Sequence, residues 1–97
     1  MNYRYHLEAL EEYENAIRYY QEKAGLGERF SNAVETGIQR IVDHPLAWSL
    51  VDEEVRRHVV NRFPYCIYYT IDEQTILILA IFHTKRKPDI WKQRLRR

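Results

Sequence analysis

Thr75-Ile76-Leu77-Ile78-Leu79-Ala80-Ile81-Phe82-His83 is the most apolar stretch of the chain. Seven consecutive apolar residues, Ile76 to Phe82, are rich in branched side chains. A run this short, with no helical stripe on either side, reads as a strand covered on both faces. A half-exposed strand would alternate apolar with polar residues. The run is therefore expected at the centre of a sheet. By strand parity, Ile76, Ile78, Ala80 and Phe82 should face one side. Leu77, Leu79, Ile81 and His83 should face the other. The run ends on a histidine and passes at once into Thr84, Lys85, Arg86, Lys87 and Pro88. A buried strand thus delivers a His and a basic turn to its rim.

Upstream of it, Tyr65 to Ile71 alternates, with Tyr65, Ile67, Tyr69 and Ile71 on one face. Asp72-Glu73-Gln74 is a hairpin turn into the central strand. Val55 to Phe63 also alternates, and its more apolar set, Val55, Arg57, Val59, Asn61 and Phe63, is expected to face the core. Leu46 to Glu54 reads as a loop with Trp48 tucked over a core edge. Further upstream the period changes. Leu10, Tyr13, Ile17, Tyr20 and Ala24 step by three and four, as do Phe30, Val34, Ile38 and Ile41. Gly25 stops the first helix and Pro45 limits the second, so residues 8–44 form an αα-hairpin. Asn2 to His6 begins an edge strand. Downstream, Pro88 opens a last short helix carrying Ile90, Trp91 and Leu95, with Lys92, Arg94, Arg96 and Arg97 around them.

The resulting order is β-α-α-β-β-β-α. The fold class is α+β: an αα-hairpin packed on a small, mainly antiparallel sheet, all in one domain spanning residues 1–97. One hairpin covers one face of the central strand. The other face needs the last helix, another chain, or both.

Composition bounds the function. The chain is 45% hydrophobic and 30% charged, with no apolar run near the roughly 20 residues of a membrane span. The start, MNYRYHLEAL, has no apolar signal region, so a cytoplasmic location is expected. The single cysteine, Cys66, excludes an internal disulfide and sits in a strand pattern as a buried thiol. Net charge is +1, but residues 1–48 hold five Lys/Arg against eight Asp/Glu, and residues 49–97 hold ten against six. The basic half points to a polyanionic or acidic partner. His6, His44, His58 and His83 are scattered without metal-ligand spacing, and no phosphate loop or serine motif is present, so no metal and no cofactor are expected.

Several segments follow one another in a recognisable order: Glu8-Ala9-Leu10-Glu11-Glu12, Gly25-Leu26-Gly27-Glu28-Arg29-Phe30 and Asp43-His44-Pro45. Arg62-Phe63-Pro64-Tyr65 with Ile67-Tyr68-Tyr69 comes next, then Ile81-Phe82-His83 with Arg86, Pro88 and Trp91. In this order and spacing they resemble the ParE/RelE superfamily of small bacterial toxins, in particular the ParE-like branch of plasmid-stabilisation proteins. The resemblance covers nearly the whole chain. It implies the toxin of a type II toxin–antitoxin pair, neutralised by a protein antitoxin. The ParE branch is linked to poisoning of DNA gyrase and offers no agreed catalytic residues to carry over. The RelE branch cuts mRNA on the ribosome without a metal, using a basic cluster and usually a tyrosine or histidine near the C-terminus. Here no tyrosine follows Tyr69, so a nuclease would have to rely on His83 as acid–base group, with Arg62 and Arg86 stabilising phosphate charge. The alternative for His83 is a local cap on the strand end. A non-toxic interaction module of the same fold is the third reading.

Two surfaces follow. Arg56, Arg62, Lys85, Arg86 and Lys87 are expected to cluster as a target- or nucleic-acid-binding patch for gyrase or for the ribosome and its mRNA. An acidic antitoxin segment is expected across the second sheet face, at Ile76, Ile78, Phe82 and Trp91. Without it the chain is expected to pair with itself as a homodimer or to be poorly soluble.

Overall fold

The computed structural model describes residues 1–86 and 88–95. The elements are β1 (Asn2–Tyr5), α1 (Leu7–Ala24), α2 (Gly27–Asp43), β2 (Ser49–Leu50), β3 (Val55–Val59), β4 (Tyr65–Asp72) and β5 (Thr75–His83), closed by a 3-10 helix over Pro88–Leu95. The strands form one sheet in the order β1-β5-β4-β3-β2. β5 pairs antiparallel with β4 and parallel with β1, and the remaining pairs are antiparallel. The α+β architecture and the hairpin-on-sheet packing are as the sequence implies.

The hairpin is built from local rules. His6 caps α1 through its Nδ1, which accepts from the Glu8 N–H, and Gly25 closes it in the left-handed region at φ 65°. The buried stripe of α1 runs through Ala9, Tyr13 and Ala16 rather than out to Ala24, which is exposed. The small alanines let the helix approach the sheet. Phe30, Val34, Ile38 and Ile41 of α2 are buried as expected. Together they enclose a core with Ile67, Tyr69, Ile76, Ile78 and Ile81. An aromatic group of Tyr13, Tyr20, Phe30, Phe63 and Tyr65 fills its rim, ring centroids 4.9–6.3 Å apart.

Three expectations are corrected. First, the parity of β5 breaks. Tyr68 pairs with Ala80 and Tyr69 with Ile78, so Leu79 is an extra residue on its strand, a β-bulge. Ile76, Ile78 and Ile81 therefore face the hairpin, while Leu77, Leu79, Ala80 and Phe82 face the opposite side. Second, β3 has the reverse of its expected facing. His58 and Val60 are buried towards the hairpin, and Val59 is 56% exposed. His58 fits because α2 passes close at Gly37, where an added Cβ would lie 3.1 Å from His58 Cδ2 and 3.0 Å from Ile67 Cδ1. Val55 is buried, but in the second core. The chain then turns through Arg62 at φ 70°, which swings Phe63 back under the hairpin. Third, the segment before β3 contains the short strand β2, paired Ser49 to Arg57 and Leu50 to Arg56.

The second face is closed by the chain itself. Val55, Cys66, Tyr68, Leu77, Leu79, Ala80, Phe82 and Trp91 form a second core, with Ile90 and Leu95 packed on it. Trp91 is 2% exposed and its ring stacks 6.2 Å from Tyr68. Burial there pushes the Cys66 thiol up, which suits an inert thiol. The last helix is thus a cover of this face, as the sequence allowed.

Candidate functional site

β1 is shorter than β5, and this difference creates the site. The parallel ladder ends at Tyr5 opposite Ile78, and the His6 N–H donates to the Ile78 carbonyl. Beyond that point β5 is an edge, and the bulge has turned its backbone. Buried backbone groups there need partners. Glu12 and Arg94 supply them. The Ile81 N–H donates to Glu12 Oε1 at 3.1 Å, and Arg94 Nη1 donates to the Leu79 carbonyl at 2.9 Å. The two side chains then hold each other in a fork, Nη1 to Oε1 at 2.9 Å and Nη2 to Oε2 at 2.8 Å. Their side chains are 13% and 5% exposed. Glu8 lies 3.6 Å from Arg94 Nε. Hydrogen bonding to Glu12 holds the Arg94 guanidinium still more firmly protonated than usual. This buried pair stands in for the missing length of β1 and ties α1, β5 and the 3-10 helix together.

Beside it lies a hollow of about 330 Å³, lined by Glu12, Asn15, Tyr19, Tyr65, His83 and Arg86, among others. His83 and Arg86 do meet here. Arg86 Nη1 donates to Glu12 Oε2 at 3.3 Å, and its guanidinium sits 5.1 Å from the Phe82 ring centroid. His83 Nδ1 accepts from the Lys85 N–H at 3.0 Å, and its carbonyl accepts from the Arg86 N–H. With Nδ1 engaged as acceptor, Nε2 is the ring nitrogen left to donate. The His83 ring packs edge-on to Tyr65, 5.6 Å between centroids. Burial raises the Tyr65 hydroxyl above its usual range. The local chemistry is that of a capped strand end: the acid is triply engaged, Arg86 shares that acid with Arg94, and the histidine offers a donor.

Arg62 lies outside this hollow, at the β3–β4 turn, so the three residues a nuclease would need are not assembled in one site. The expected basic cluster is likewise dispersed. Lys85 is exposed beside His83. Arg56 sits opposite Tyr69, far along the sheet from the Tyr65–His83 pair, and donates to the Trp48 carbonyl at 2.6 Å. Lys87 lies outside the described residues. Of the residues expected to meet an antitoxin, Ile76 and Ile78 are fully buried under the hairpin, and Phe82 and Trp91 are buried under the 3-10 helix. None of the four offers an open surface as the chain stands. Among the described residues no group of His, Cys, Asp or Glu has the arrangement of a metal site, and no helix is long and apolar enough to cross a membrane.

Glu12 and Arg94 escaped the sequence reading. A signal existed. Ala9, Glu12, Tyr13 and Ala16 share one helix face, so Glu12 is an acid inside an apolar stripe, and such an acid needs a buried cation.

No curated protein matches the chain. Among solved structures, a chain of the chromosomal ParDE TA system from P. aeruginosa superposes with a TM-score of 0.65 at 17% identity, covering 86% of this chain and 95% of that one. At that identity the likeness speaks for the fold. The family profile described as the ParE toxin of type II toxin–antitoxin system, parDE, matches residues 3–88. That match takes in both helices, all five strands and the rim of β5, and on it the chain belongs to the ParE toxin family of type II toxin–antitoxin systems.

Proposed function

We propose that this ParE-family toxin acts in the cytoplasm by gripping DNA gyrase or a similar macromolecular target, without covalent chemistry of its own. The observation that carries the choice is the state of the rim. Glu12 accepts from Arg94, Arg86 and the Ile81 N–H, while His83 accepts at Nδ1 and Arg62 lies apart. A ribose-attacking nuclease needs a base with a free lone pair and cations free to meet the phosphate. This rim supports binding better than proton abstraction. The family implies a protein antitoxin that restrains the toxin.

The test is expression of the chain in a bacterial host from a tightly repressed promoter, with transcripts and DNA integrity followed together. A DNA-damage response with intact transcripts is the expected result. Cleavage of mRNA at the ribosomal A site would replace this reading with the RelE-like one. Unimpaired growth at confirmed expression would leave an interaction module that has lost toxicity.

A further inference from the structure

Two hollows of about 430 and 560 Å³ share no residue with the Glu12 rim and have Asn61 and Arg62 in common. Each is within the size range of small-molecule sites. Together they make one groove between α2 and the turn that follows β3. From α2 come Arg29, Ala33, Thr36 and Arg40, spaced by four, three and four, so they lie along one side of the helix. The span from Arg29 to Arg40 is about 16 Å along the helix axis.

The two ends differ in chemistry. The smaller hollow has apolar walls, Leu26, Ala33 and Phe63, edged by the amides of Asn32 and Asn61 and the Thr36 hydroxyl. The larger holds Arg40, Trp48 and His58, and Arg62 belongs to both. No carboxylate lines either hollow among the described residues. This contrasts with the surroundings of Arg4, Arg86 and Arg94, each of which has an acidic partner. The larger hollow is also braced. Trp48 Nε1 donates to the Arg40 carbonyl at 3.4 Å, and the Trp48 ring lies 4.3 Å from that of His58. His58 is 6% exposed, and its Nδ1 has no hydrogen-bond partner among the described residues. A buried polar atom left unpaired marks a place where the fold itself does not supply the partner.

We infer that this groove binds a free nucleoside polyphosphate, with the phosphates against Arg40 and Arg62 beside His58 and the base between Leu26, Ala33 and Phe63. Guanidinium forks match phosphate oxygens. A flat heteroaromatic ring suits an apolar slot edged by amides, which both donate and accept. Inorganic polyphosphate would leave the apolar hollow unused. An acyl chain with an anionic head would leave Asn32, Thr36 and Asn61 without partners. The terminal nucleotide of a nucleic acid carries the same chemistry as a free one, so the experiment separates the two. The inference concerns a small ligand and does not depend on the toxin's target.

The experiment titrates the full chain with ATP, GTP, adenosine, inorganic tripolyphosphate and a single-stranded DNA oligonucleotide, and follows amide and His58 ring resonances. ATP or GTP should bind at least about tenfold tighter than adenosine or tripolyphosphate and weaken with added salt. It should shift Ala33, Asn61, Arg62 and the His58 ring. Arg62 has a left-handed backbone, φ 70°, which glycine adopts freely, so Arg62→Gly removes the guanidinium without straining the turn. Combined with Arg40→Gln it should weaken the nucleotide by about tenfold or more at unchanged circular dichroism. If the double variant misfolds, Arg62→Gly decides alone. Asn32→Ala should weaken the nucleotide and leave tripolyphosphate as it was. Neither nucleotide giving a saturable shift, tripolyphosphate binding as tightly as ATP and GTP, shifts confined to the Glu12 rim, or an oligonucleotide that binds more tightly and displaces the nucleotide from the same resonances would each overturn the inference.

Discussion

Replacing Glu12 by Gln tests the device that holds the rim together. The substitution keeps the shape and one carbonyl oxygen but removes the charge. Arg94, 5% exposed, would then be a buried guanidinium with Glu8 at 3.6 Å as its remaining acid, and Glu8 is largely exposed. Removing one partner of a buried pair typically costs about 3–5 kcal/mol, because the other charge is left uncompensated. Arg94 keeps its bond to the Leu79 carbonyl, so a loss of about 2–4 kcal/mol is expected here. For a domain of this size that is a fall in Tm of roughly 10–30 °C. Urea melts should report the same loss, and the Ile81 amide should exchange faster, since its acceptor on residue 12 loses the charge and the Arg94 fork that hold it in place. Arg94→Met removes the other charge, and the double variant Glu12→Gln/Arg94→Met should be less damaged than the two single losses together, with a coupling of about 1 kcal/mol or more. A Glu12→Gln protein within about 0.5 kcal/mol of the parent, with Ile81 still protected, would refute the claim that this pair substitutes for the missing strand.

Other outcomes follow from the same packing. Gly37→Ala should lose about 1 kcal/mol in a urea melt, because the new methyl would press on fully buried Ile67 and on His58, which outweighs the gain in helix propensity. Burial, aided by the Arg40 charge, lowers the His58 pKa below its ordinary value. The unfolded chain therefore binds this proton more readily, so stability is full above about pH 6.5 and falls as the pH drops below it; His58→Phe should flatten that slope of the urea midpoint. Trp91→Ala should open the second core, cost about 3–5 kcal/mol, and raise self-association through Phe82 and Tyr68 relative to the parent in light scattering. A parent chain that is already dimeric would show that the 3-10 helix does not suffice as a cover.

The fold was legible because its signals are local. The run Ile76–Phe82, the two helical stripes and the stop at Gly25 each follow from periodicity or from one residue's conformational freedom. The facing of β3 was not, because its pattern is ambiguous. Val55 and Val59 form one apolar set and His58 and Val60 the other, and the choice between them is made by α2 at Gly37, some twenty residues earlier in the chain. The bulge at Leu79 was equally hidden. An unbroken apolar run carries no mark of where its parity changes, since both faces accept the same residues.

That one shift in β5 also explains why the expected rim cluster did not form. With the bulge, Ile81 and His83 both turn to the hairpin side, and the edge groups of β5 come within reach of α1. An acid on the α1 stripe can then satisfy them, and Glu12 occupies that position. Once Glu12 is there, nearby cations condense on it. Arg94 does so from the last helix and Arg86 from the rim turn. Cations already drawn to an internal acid serve an external polyanion less well than free ones. Arg29, Arg40, Arg57 and Arg62, along α2 and at β3 and its turn, line hollows that hold no carboxylate among the described residues. The charge asymmetry of the sequence pointed to an anionic partner without saying where one would sit. Its location depended on which basic residues the fold had already paired, and only the three-dimensional arrangement of Glu12 settles that.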